Sequence, residues 1–176
     1  ALFTFVLSVL LAAGLIWRQE ELRLREARNL ADNLATEYAY NLQNSLERPL
    51  GAAHALAAVL HNHKGLIPDF EATAATLLRY YPGVIALQLA PGGIVSHMAP
   101  ARGNEGGIGY NLLHDTLRNR DAFLARKTRQ LTVSGPINLA QGGTALVGRL
   151  PVFLDDGLGN NSFWGFVIVL VAFPQS

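Results

Sequence analysis

Residues 131–153 read LTVSGPINLAQGGTALVGRLPVF. Two runs rich in Val, Leu, Ile and Thr flank a Gln-Gly-Gly, the pattern of two strands joined by a turn. Charge is nearly absent, so both runs belong against a core. Just downstream, FWGFVIVLVAF (163–173) is a longer and more apolar run, whose length suits a central strand covered on both faces. Upstream, Val84–Ala99 repeats the hairpin pattern around Pro91-Gly92-Gly93. A Gly-rich loop, PARGNEGGIGYN (100–111), follows. Next comes LLHDTLRNRDAFLARKT (112–128), where Leu113, Leu117 and Leu124 have helical spacing. Five strands with one helical crossover between the second and third predict an α+β domain built on a mostly antiparallel sheet.

Helical patterns precede the sheet. In residues 18–46, Ala27, Leu30, Ala31, Leu34, Tyr38, Leu42 and Leu46 recur at gaps of three and four, and the charges fall on the other side early in the run. A continuous helix there is roughly 40 Å long at about 1.5 Å per residue. It suits a stalk that dimerises or transmits, and equally one that packs along its own domain. Pro49 predicts a kink, and Leu50, Ala53, Leu56, Ala57 and Leu60 resume the pattern until Gly65 stops it. PDFEATAATLLRYYPG is a second, short helix, with Pro68, Asp69 and Glu71 at its start.

Ala1–Trp17 carries no charge. A spanning helix needs roughly 17–25 apolar residues, so this stretch reads as the end of a membrane span, with Trp17 at the interface and Arg18 just outside. The expected organisation is therefore a span end (1–17), a stalk helix region kinked near Pro49 (18–65) and a sensing core (66–173). The apolar finish suggests a module of a longer polypeptide.

Composition narrows the chemistry. With 14 basic and 13 acidic residues the net charge is +1, which argues against a nucleic-acid partner. There is no cysteine, so disulfides, zinc thiolates and thiol catalysis are excluded. His61 and His63 are two apart and point to different helix faces. Asp155-Asp156 lacks the spacing of a calcium loop. GNEGGIG lacks the Gly-Lys-Ser ending of a phosphate loop, although its backbone N–H groups suit an anion or small ligand. No nucleophile elbow or triad is suggested. The expectation is no catalytic residue, no metal and no cofactor.

YYPGVIALQLAPGGIVSHMAPARGNEGGIGYNL, RKTRQLTVSGPINLAQGGTALVGRLPVF and FWGFVIVLV together resemble the CHASE domain, over roughly Ala53 to Phe173. This is an extracytoplasmic sensory module of bacterial histidine kinases and diguanylate cyclases and of plant cytokinin receptors. The resemblance implies a periplasmic or extracellular location and membrane anchoring. It also implies a stalk helix packed on PAS-like subdomains, homodimerisation and a cytoplasmic kinase, cyclase or phosphodiesterase output.

The family's pocket maps onto the first hairpin (Leu87, Leu89, Val95), the loop after it (Tyr110) and the LTVSGP strand. Asn111 falls at or beside the Asp that grips the purine in cytokinin-binding members. Asn lacks that charge, which weakens an adenine-type ligand as the expected small molecule. Leu131 and Thr132 match the strand lining the other side, and Thr128 matches a Thr important for integrity. From the residues themselves, Leu131, Val133, Leu146 and Val152 suit pocket walls. Thr132 and Ser134 suit polar anchors, while Gly135 and Gly148 suit spacers. The same residues also suit an ordinary core. The expected function is small-molecule sensing; a ligand-free dimerisation module is the alternative.

Overall fold

In the computed structural model the described residues are 46–114, 119–138, 144–155, 157 and 159–173. The chain divides into two units, Ala1–Asn44 and Ser45–Ser176, and all described residues lie in the second. The span end and most of the stalk fall outside them.

The first described helix, α1 (46–62), is helical on both sides of Pro49. Ala52, Ala53, Leu56, Ala57 and Leu60 are buried on one face, the spacing predicted for it. It closes with Gly65 N–H donating to Leu60 O (2.9 Å) and Lys64 N–H to His61 O (3.1 Å). Such a closure needs a left-handed residue. Here Lys64 takes that conformation (φ 53°), followed by Gly65 (φ 91°). Helix α2 (Phe70–Tyr80) is capped by Asp69, whose carboxylate accepts from Ala72 N–H at 3.0 Å.

The strands are β1 (Val84–Pro91), β2 (His97–Ala99), β3 (Thr132–Asn138), β4 (Thr144–Asp155) and β5 (Asn161–Ala172), with α3 (Asn119–Thr128) between β2 and β3. They form one sheet of order β2-β1-β5-β4-β3. Every strand pairing in it is antiparallel, rather than most of them. The apolar β5 takes the central position expected of it. Edge strand β3 pairs with β4 only as far as Thr132↔Arg149, so Pro151 lies beyond the stretch shared with β3, where proline is tolerated.

The two sheet faces are distinct. Leu87, Leu89, Leu146, Val152, Val167 and Val169 pack against α1 and α2. Ala86, Ala90, Val147, Phe166, Ile168 and Leu170 pack on the side of α3 and the loop before it. Helix α3 occupies the second half of the helical stretch expected over 112–128. Its described part begins at Asn119, Leu124 is 47% exposed, and Ala122 and Ala125 are its buried residues. Two small side chains thus make its buried contact, while Leu117 lies outside the described residues.

Candidate functional site

Strand alternation places every second residue of the central strands on the α3 side. There a cavity of about 200 Å³ opens over the sheet. Its floor is Gln88 of β1, Val147 and Arg149 of β4, and Ile168 and Leu170 of β5. Ile137 of β3 forms one side, and Val95, Gly106, Gly107, Tyr110 and Leu112 form the other.

Hydrogen bonds hold the loop wall in place. Val95 N–H donates to Tyr110 O (3.0 Å), Gly109 N–H to Val95 O (2.8 Å) and Leu112 N–H to Gly93 O (2.9 Å). The loop therefore lies back on residues 93–95 as a narrow ribbon. At its bend the Glu105 carboxylate accepts from Gly103 N–H at 3.1 Å. The backbone N–H groups of Glu105 and Gly103 hold that carboxyl below its usual range of about 4.5. A Cβ on Gly107 would run into Met98 Cε, the free end of a flexible side chain, which would have to swing aside.

Among the described residues two polar side chains are classed as buried, Gln88 (9% exposed) and Arg149 (8%), and both line this cavity. Arg149 Nη1–H donates to Ser134 Oγ across the β3–β4 ladder. The sequence reading passed over both. Their signal was a lone polar residue inside an otherwise apolar strand run, VIALQLA and ALVGRLPVF.

The sequence-derived site residues divide between the two faces. Val95 and Tyr110 line the cavity, and Ser134 touches it through Arg149. Thr132 pairs with Arg149 in the ladder, and its hydroxyl donates to Asp121 O at 3.1 Å, tying β3 to α3. Asn111 Oδ1 accepts from Leu113 N–H (3.0 Å) and His114 N–H (3.2 Å), which makes it the head of a local turn. Leu87, Leu89, Leu146 and Val152 lie on the opposite face, in the core beneath α1 and α2, and Leu131 packs against that core. Gly148 also faces that way, since a Cβ there would meet Leu50 and Val169 side chains at 2.7 Å. Val133 is exposed. Thr128 Oγ1 donates to Leu124 O at 2.9 Å within α3.

Larger recesses of about 350 and 500 Å³ sit beside α2 and at the end of α1. The ionisable side chains at their rims, Asp69, Glu71 and His97 in one and His61, Lys64 and Asp155 in the other, are all exposed. No cluster of three or more His, Asp or Glu occurs among the described residues. Among these residues no helix is long and apolar enough to cross a membrane.

Comparison with known proteins fits this geometry. Residues 91–175 match the family model of the CHASE domain, which bears out the resemblance read from the sequence. The match begins at the end of β1, so the helices before the sheet lie outside it. No curated protein matches the chain. Among solved structures, the fold is similar to an extracellular ligand binding receptor from Desulfohalobium retbaense DSM5692 (TM-score 0.61, 20% identity, 77% of this chain). It is also similar to the extracellular domain of a protein described as a histidine kinase, rpHK1S-Z16 (TM-score 0.58, 15% identity, 79% of this chain). The chain spans 24% of the first of these and 54% of the second.

Proposed function

With residues 91–175 matching the CHASE domain, we propose that this chain is the extracytoplasmic small-molecule sensing part of a membrane-anchored signalling protein. The observation that carries this reading is the convergence of the buried Gln88 and Arg149 on one otherwise apolar cavity. Apolar walls with a few placed polar groups are what a pocket needs to bind without reacting. The likeness to an extracellular ligand binding receptor supports the same assignment.

In this reading Ala1–Trp17 ends a membrane span. Residues 18–46 belong to the stalk of this reading, which dimerises and passes the ligand state toward the membrane. Val147 and Arg149 face the cavity, while their neighbours Leu146 and Gly148 face α1 and the core beneath it. A ligand that shifts β4 thereby shifts the bed on which α1 rests, and it favours one of two arrangements by its differential affinity for them. The segment performs no chemistry itself; a kinase, cyclase or phosphodiesterase output carries the response.

The test is thermal unfolding of the 176-residue chain in mild detergent against a panel of small metabolites, purines included. A ligand at about 100 times its Kd adds about 2.7 kcal/mol, a rise in Tm of roughly 5–10 °C for a domain of this size. A panel covering acids, bases, sugars and purines that moves Tm by less than a degree overturns the sensing reading.

A further inference from the structure

We infer that the ligand of this cavity is a small uncharged molecule with an amide edge, a lactam or a primary carboxamide, held by the Gln88 side chain. This inference rests on the sensing reading and adds the chemical class. Gln88 is 9% exposed and stands opposite Met98 of β2 on one side and Ile168 of β5 on the other. Cross-strand partners share a face, as do residues two apart along a strand. Its neighbours on the cavity side are therefore Met98, Ile168, Ala86 and Ala90, all buried and apolar. None of them offers a good hydrogen-bond partner, and among the described residues the Gln88 side-chain amide has none. An amide buried without partners is costly. Gln88 lines the cavity, so the cavity is the side from which its amide can be satisfied.

Each feature selects among ligands. A carboxamide presents an N–H donor and a carbonyl acceptor side by side. A ligand with N–H and C=O on one edge returns both bonds at once, whichever way round the Gln88 amide is turned. One that displaces water from the amide and returns a single bond loses affinity. A charged ligand leaving water needs an opposite charge in the site. Among the described lining residues there is no Asp or Glu to receive a cation. For an anion, Arg149 already has partners, Ser134 Oγ among them. The rest of the molecule meets Val95, Leu112, Ile137 and Ile168. Size is set by volume. A cavity of about 150 Å³ accepts benzene, so about 200 Å³ suits a molecule of roughly six to ten non-hydrogen atoms. An N6-substituted adenine carries a comparable edge and exceeds that size.

The experiment uses matched pairs that keep the carbonyl and the shape and differ in the N–H: 2-piperidone with cyclohexanone, and benzamide with acetophenone. Benzoate, neutral sugars and purines run alongside. Binding to the full 176-residue chain in mild detergent is followed by calorimetric titration and by Tm at constant ionic strength. The expected result is that at least one amide binds, about tenfold or more tightly than its ketone, and that benzoate binds no more tightly than benzamide. Gln88→Leu, which nearly conserves volume, should bring amide and ketone close to equal affinity. The wild-type amide–ketone comparison stands even if the variant does not fold. Equal binding of amide and ketone, tighter binding of benzoate than of benzamide, or binding of sugars or purines alone overturns the amide assignment and leaves the sensing reading intact. An amide preference that survives Gln88→Leu in a folded variant overturns that assignment too. No binding by any class overturns both.

Discussion

Leu87 and Gln88 are adjacent in β1 and nearly equally buried, at 0% and 9% exposure. The two-faced sheet assigns them opposite duties. Leu87 fills the core under α1 and α2, whereas Gln88 faces the cavity. Leu87→Ala removes about three carbons, about 2.4 kcal/mol of transfer free energy at ~0.8 kcal/mol each. Partial collapse of the site leaves a residual void that raises the cost to about 3–4 kcal/mol. Gln88→Leu nearly conserves volume and exchanges a polar group at a cavity wall for an apolar one, so it changes stability by less than about 1.5 kcal/mol. Urea unfolding followed by circular dichroism reads both. With a slope of about 2 kcal/mol/M, the midpoint for Leu87→Ala falls by roughly 1.5–2 M, and that for Gln88→Leu moves by less than about 0.7 M. Equal midpoints for the two variants would refute the face assignment.

Other consequences test separate parts of the fold. Lys64→Gly relieves a side chain held at φ 53° and should stabilise the domain by about 0.5–1 kcal/mol; a loss of stability contradicts the closure described for α1. Gly165 sits at φ 152°, and a Cβ there would lie 2.1 Å from Ala90 O, so Gly165→Ala should cost about 2–6 kcal/mol through backbone strain and forced separation of β1 and β5. Glu105 is held below its ordinary pKa by backbone N–H groups. Its stabilisation of the loop bend is therefore present above the unfolded pKa and lost as pH falls through the lower folded one. The Gly103 amide resonance should titrate with a midpoint below 4.5, and a midpoint at or above that value contradicts the hydrogen bond.

The central place of β5 was legible because it is an uninterrupted apolar run, and the two hairpins because each pair of strand-like runs flanks a Gly-Gly; the order of the other strands was not. What sequence did not decide was which face of each strand meets the helices. In β1 the five consecutive residues Ala86 to Ala90 are all buried, so no polar–apolar alternation marks one side. Leu87, Leu89, Leu146 and Gly148 therefore looked as suitable for a pocket as their neighbours did. The polar residues that do face the cavity, Gln88 and Arg149, stood inside apolar runs where they broke the strand pattern. In α3 the buried residues are the small Ala122 and Ala125, and of the three leucines read as helically spaced Leu124 is exposed, Leu113 packs before the helix and Leu117 lies outside the described residues. Asn111 matched a ligand-gripping position by alignment, while its side-chain oxygen already caps a turn.

The most direct measurement is a methyl-labelled NMR titration with whichever panel compound raises Tm. The account predicts that shifts concentrate on the methyl groups of Val95, Val147, Ile168 and Leu170, with those of Leu87, Leu89, Leu146 and Val167 moving far less. Shifts centred on the second group would place the ligand on the α1–α2 side of the sheet and contradict the assignment of the cavity as the sensing site.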